Sequence, residues 1–440
     1  MTSAGLPPRA VLAYGALGLP LAFAALPLYV HVPRLYTESL GLPLAAVGGV
    51  LLAARAVDAL TDPLIGWAND RFGARSGGRG ILPGGLAILA LSLPLLLAPP
   101  TGAGLGWLFA LLVLVSLGYS MASIAYAVWG AAVAPTPELR TRLVASREGF
   151  GLVGVLLAAA LPGLLSGDAG EAAGLAALPW VFIPLLLGAA AWTLGLAPRA
   201  PASSTAAPLG SLPAALRDGD FLRLLGVFAV NGIAAAVPSA TVLFFVADVL
   251  RATELAGLFL AIYFLAAACS LPLWVAAARR LGKLRAWLAG MGLAVLVFAW
   301  AGLLGAGDSW AYGLICVLSG FALGADLALP PSLLADLLAR PASPAEARAA
   351  PGAAFGWWNF VTKANLALAA GLALPLLALL GYSPGGRDPG AIAALAAVYA
   401  FVPIVLKLGA MALLWAWRQR LEPSPSPLQA ASAALPGARP

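Results

Sequence analysis

The chain of 440 residues holds one histidine (His31), two cysteines (Cys269 and Cys316) and few charges, with Asp, Glu, Lys and Arg together at 10%. Each scarcity excludes something. One histidine cannot build a histidine-based metal cluster within a single chain. The two cysteines lie inside apolar runs without zinc-type spacing, so neither a metal site nor a structural disulfide is expected. No HExxH or GxxxxGK(S/T) pattern occurs, so zinc-peptidase designs and ATP-driven transport lack their parts. Soluble domains carry about 25% charged residues; this chain is not composed like one.

Apolar residues are abundant instead, at 62%, with a mean hydropathy of +0.95. The apolar runs have the ~20-residue length of a spanning helix, not the ten-residue alternation of a barrel strand. The expected fold is therefore all-α and integral to a membrane. Twelve spans are predicted near 10–32, 44–68, 81–99, 104–132, 147–167, 178–197, 221–249, 254–278, 285–305, 309–339, 353–381 and 392–416. The first run is long and continues the pattern, so no cleavable signal peptide is expected. A Pro-, Ala- and Ser-rich stretch, APRAPASSTAAPLGSLPAALRDGD, divides the chain. The expected units are a six-helix bundle at 1–197, a cytoplasmic linker at 198–220, a second bundle at 221–417 and a disordered tail at 418–440.

The net charge of +7 sits in loops between apolar runs, which encodes membrane topology rather than nucleic-acid binding. Arginine and lysine crowd the termini and the loops after the even-numbered helices, including Arg71, Arg75, Arg79, Arg140, Arg280, Lys283, Arg340 and Arg348. The opposite loops hold only Arg34, Arg251 and Arg387. Both termini are thus expected in the cytoplasm. NDRFGARSGGRG after the second helix is echoed by ARRLGKLR after the eighth, which suggests a duplicated six-helix unit.

The second helix carries the densest chemistry. Arg55, Asp58 and Asp62 stand at i, i+3 and i+7, on one helical face. Each ionised group at a bilayer centre costs about 2.5–3.5 kcal/mol, so this face belongs in a bundle interior, with Arg55 a partner for Asp58. Two carboxylates one turn apart repel, and a proton or a shared Na⁺ relieves them, with Thr61 adding a hydroxyl. A static ion pair is the alternative reading. Asp70 and Arg71 begin a basic, glycine-rich cytoplasmic hinge. In the other half, Lys363 lies ten residues into the eleventh helix, placed to approach the acidic pair when the halves close, with a lysine snorkelling to the interface as the alternative. Asp326, ahead of Pro330-Pro331, is a candidate substrate contact or proton site, with a hydrogen-bonded structural acid as the alternative. Tyr119, Ser123 and Tyr126 follow helical spacing on the fourth helix, with Ser120 and Trp129 beside them, as a wall for a polyol ring or simply as packing. Arg147, next to Glu148, opens the fifth helix at a substrate entry or at the surface.

DALTDPLIGWANDRFGARSGGRG resembles the second-helix signature of the glycoside–pentoside–hexuronide:cation symporters, the melibiose-permease group of the major facilitator superfamily. YGALGLP, ELRTRLVASREGFGLVG, ALPPSLLADLLA and FVTKANLALAAG resemble that family's helices 1, 4–5, 10 and 11 in the expected order. The resemblance implies two pseudo-symmetric six-helix bundles and no enzymatic activity or cofactor. It also implies Na⁺ or H⁺ coupling at Asp58 and Asp62, with Thr61 and Ser120 as further cation oxygens. Arg55, Arg147 and Lys363 match the family's helix 2, 5 and 11 cations. Melibiose permease itself holds its galactoside with acids on helices 1 and 4, where Pro20 and Ser123 stand here, which weakens the implication of a galactoside. A lysolipid cargo, as in related symporters, and a non-transporting receptor are the alternatives. A monomer in the inner membrane, with a sugar-like or lipid substrate, is expected.

Overall fold

The computed structural model describes residues 6–73, 79–166, 171–200, 211–340 and 349–422. Arg75, Arg348, the linker core 201–210 and the tail from 423 lie outside the described residues. Among the described residues the chain is helical throughout, without strands.

Twelve apolar helices follow the predicted runs. They are α1 (Pro8–Leu28, with a one-residue turn at Leu17), α2 (Leu44–Gly73), α3 (Leu82–Leu97), α4 (Leu105–Val133), α5 (Pro137–Ser166) and α6 (Glu171–Leu196), then α7 (Gly219–Phe244), α8 (Ala256–Leu281), α9 (Lys283–Ala301), α10 (Ser309–Leu338), α11 (Pro351–Leu379) and α12 (Pro389–Ala416). Eleven are long and apolar enough to cross a bilayer. The exception is α3 with 16 residues, about 24 Å of helix against a hydrocarbon core of about 30 Å. It is shorter than the predicted span because Pro99 and Pro100 follow its end and cannot continue it. The opposite error occurs in α2, which runs on to Gly73 rather than ending at 68 and so carries Asp70 and Arg71 on its last turn. The expected disorder of the tail fails over its first residues. Arg418–Leu421 forms a further helical turn, where Arg340 donates to the carbonyls of Arg420, Leu421 and Glu422.

The duplication suggested by the loop echo is visible in the packing. Within the first six helices α1 packs on α5 and α6, α2 on α4, and α3 on α4 and α6. Six helices later α7 packs on α11 and α12, α8 on α10, and α9 on α10 and α12. The contacts joining the bundles repeat the same way, α2 with α11 and α5 with α8. One large apolar core fills the first bundle. The second has two cores, and the one nearer the arginine-rich loops also takes in Ile65 and Ile124 from the first bundle.

The α2–α11 contact is built from glycine. A methyl group on Gly66 would lie 2.1 Å from the Gly352 carbonyl oxygen, and one on Gly356 would lie 2.7 Å from the Asp62 carbonyl oxygen. Small residues let helix backbones approach this closely inside a membrane. That approach brings the side chains of α11 against the acidic face of α2.

Candidate functional site

Asp62 is fully buried and Asp58 nearly so. The cation that meets them comes from the other bundle. Lys363 Nζ donates to Asp58 Oδ1 at 2.6 Å, to Asp62 Oδ1 at 2.9 Å and to Ser120 Oγ at 2.8 Å. Ser120 in turn donates to Asp58 Oδ1 at 3.2 Å, and Asn359 Nδ2 donates to Asp62 Oδ2 at 2.9 Å. Within this hydrogen-bonded cluster two carboxylates face one ammonium, so one negative charge is in excess. Such an excess, away from water, favours uptake of a further cation or proton.

The sequence-based partner for Asp58 was Arg55. Arg55 is exposed one turn away on the same face, and Lys363 adds an ammonium held against Asp58 from the other bundle. Thr61 uses its hydroxyl hydrogen on the Asp58 backbone carbonyl at 3.0 Å, which leaves its oxygen lone pairs as the ligand it can offer. Asn359 was missed. Its signal was legible, because it stands four residues before Lys363, on the same helical face.

Beside this cluster a central cavity of about 270 Å³ opens between the bundles. Tyr119, Ser123, Tyr126, Arg147, Glu148, Asp326, Phe228, Trp358, Asn359 and Thr362 are among its lining residues. Of the fourth-helix wall, Trp129 is the correction. It is fully buried, its indole Nε1 donates to the Pro198 carbonyl at 3.0 Å, and the Arg79 guanidinium lies 5.4 Å from its ring centre. It packs the arginine-rich end and does not line the cavity, because helical spacing turns it toward α6 and the loop after α2. Arg79, outside the spans, also donates to the Leu194 carbonyl. Its burial, and then the nearby Arg199, lower its pKa from the usual arginine value.

Asp326 reaches the cavity and is held from within its own bundle. Lys407 Nζ donates to Oδ2 at 2.8 Å, while Asn231 Nδ2 at 3.1 Å and Trp287 Nε1 at 2.8 Å donate to Oδ1. Arg147 pairs with Glu148, both of its bonds landing on Oε1 at 2.9 and 2.6 Å. Single polar residues in apolar runs, Asn231 and Lys407, marked the first set in the sequence, but nothing local said that they would converge.

The arginine-rich end of the bundle interface is closed by two latches. Asp70 accepts the backbone N–H groups of Gly352 at 2.6 Å and Ala353 at 2.8 Å, at the start of α11, where orphan donors and the helix dipole favour an anion. Asp336 at the end of α10 takes Arg140 of the first bundle at 3.0 Å and Lys283 of its own at 2.5 Å. Asp70, expected as a hinge residue, thus bonds across the bundle interface, whereas the second latch was hidden among ordinary loop charges. Arg71 is exposed. The cavity begins about one to two turns farther along the same helices, at Arg147 on α5, Pro331 on α10 and Phe355 on α11.

Two six-helix bundles with a cavity between them are an architecture found among transporters, and known proteins share it. The chain matches the solved structures of a bacterial homologue of the iron transporter ferroportin in an outward-facing state (TM-score 0.65, 18% identity, 94% of this chain and 100% of that one) and the human organic anion transporter MFSD10 (TM-score 0.62, 17% identity, 93% and 100%). At these identities the likeness establishes the fold. Two bacterial relatives are similar over part of their length. One is an uncharacterized symporter, YjmB of Bacillus subtilis, 29% identical over 29% of either chain; the other is an inner membrane symporter, YicJ of Escherichia coli, 28% identical over 52% of either. The aligned region thus spans about half or less of these curated relatives. The family model described as MFS/sugar transport protein matches residues 11–418, nearly the whole chain, and the chain belongs to that family of multi-pass membrane transporters.

Proposed function

We propose that this transporter is a cation-coupled symporter of a small sugar-like solute, working by alternating access between its two bundles. The observation that carries the reading is the cluster of Asp58, Asp62, Ser120 and Lys363, which sets two buried carboxylates one turn apart against an ammonium and joins the bundles through α2 and α11. Lys363 stands as an internal occupant of the acidic site. A driving Na⁺ or proton at Asp58 and Asp62 competes with the ammonium, and its binding releases the electrostatic tie between α2 and α11. Coupling then follows from differential affinity, because an ion that binds one arrangement of the bundles better shifts the equilibrium between them.

With the arginine-rich loops in the cytoplasm, the Asp70 and Asp336 latches close the cytoplasmic side and leave the chain facing outward. The cavity supports a small polar solute over a lysolipid. At about 270 Å³ it lies just under the ~300–1,000 Å³ of typical ligand pockets, too small for an acyl chain beside a headgroup. The symporter names of the two bacterial relatives agree with coupled transport. The test is uptake into proteoliposomes under imposed Na⁺ or H⁺ gradients. Asp58→Asn and Asp62→Asn are expected to abolish gradient-driven accumulation while the protein still inserts and folds. Full accumulation in both variants would overturn the assignment.

A further inference from the structure

The coupling cluster leaves two cavity carboxylates unused, and they are arranged alike. Glu148, from the first bundle, is held by Arg147 through Oε1 alone, and among the described residues Oε2 accepts no hydrogen bond. Asp326, from the second bundle, receives two donors on Oδ1 but only Lys407 on Oδ2. A carboxylate offers about four acceptor sites. Each group is therefore fixed by its own bundle and still has acceptor capacity at the cavity it lines.

We propose that Glu148 and Asp326 act together as hydroxyl acceptors, one from each bundle, and that they select an uncharged polyhydroxylated ring the size of one sugar unit over its acid. The proposal rests on the sugar-symporter reading and narrows it. Charge is the first argument. Arg147 is matched by Glu148 and Asp326 by Lys407, so the cavity wall sums to zero. A carboxylate ligand entering it would either stay unpaired away from water or strip Arg147 from Glu148, leaving that acid uncompensated. A neutral polyol requires neither. Its hydroxyls donate to acceptors that are already ionised and oriented, which makes charge-assisted bonds without reorganising the wall. The remaining wall suits a ring. Phe228 and Trp358 are stacked with centroids 3.7 Å apart and, with Tyr119, supply flat apolar surface beside the polar groups. A ligand bonded to both bundles also binds best when they close on it, as alternating access requires.

The experiment is equilibrium binding to the full-length purified protein, by calorimetry and thermal shift in Na⁺ buffer without a gradient. The probes are glucose, galactose and xylose against glucuronate and galacturonate. At least one neutral sugar is expected to bind more tightly than the uronates, by about tenfold or more. Glu148→Gln and the charge-balanced double variant Asp326→Asn/Lys407→Met are each expected to weaken it by about 10- to 100-fold, the loss of one hydrogen bond to a charged group. The double variant leaves no unpaired buried lysine, and the wild-type preference is readable even where a variant fails to fold. Tighter binding of a uronate, wild-type affinity in both variants, or no binding of any neutral sugar up to its solubility would each overturn the proposal. Because no gradient is used, retained driven uptake in Asp58→Asn and Asp62→Asn would remove the coupling reading and leave this one standing.

Discussion

If Lys363 is the occupant that a driving cation must displace, removing its charge should free the acidic site. In Lys363→Gln the Asp58 and Asp62 carboxylates lose an ammonium that binds them at 2.6 and 2.9 Å and also binds Ser120 at 2.8 Å. Breaking a buried ion pair costs about 3–5 kcal/mol. The lysine side chain keeps 15% of its exposure, so the lower end applies, about 3 kcal/mol or on the order of 100-fold in affinity. A cation entering the variant no longer competes with that interaction. Na⁺ titration by calorimetry should therefore show affinity raised about 100-fold if Na⁺ drives transport. If H⁺ does, the variant should hold its proton to higher pH after a pH jump. Gradient-driven uptake should collapse in the same variant, because a permanently filled site reports nothing to α11. Unchanged or weaker cation affinity would refute the displacement argument and make the lysine a fixed part of the site.

Three further outcomes follow from the packing. Asp336→Asn removes the shared anion of Arg140 and Lys283 and should open the arginine-rich end. Alkylation of a cysteine placed at the buried Ser332, in a Cys269→Ala background, should rise at least about tenfold, and protection equal to the parent's would refute a latch. Gly352→Ala puts a methyl group 2.2 Å from the Gly66 carbonyl oxygen and should separate α2 from α11. The same cysteine should become reactive, and a distance between spin labels on the two helices should lengthen; no change in either would mean that the contact is not needed for closure. Trp129→Ala empties a fully buried indole site and should cost about 3–5 kcal/mol of stability. Solute affinity, measured by thermal shift below the lowered melting point, should stay at the parent value, whereas a loss of affinity would return Trp129 to the binding site.

Local properties of the chain were readable without coordinates. Hydropathy over 20 residues and the 3.6-residue period depend only on neighbours in sequence. The apolar spans, the shared face of Asp58 and Asp62, and the depth of Lys363 and Asp326 in their helices all follow from them. Tertiary structure decided which of these groups meet. Lys363 and Asp58 lie 305 residues apart, and glycine at the α2–α11 crossing is what allows their contact. Asp326, equally deep in its helix, is neutralised inside its own bundle because α7, α9 and α12 converge on it. Trp129 shares a helix with the cavity wall yet turns to Pro198 and Arg79. Charge and period set which residues must leave the lipid; only the backbone approach of one bundle to the other sets their partners.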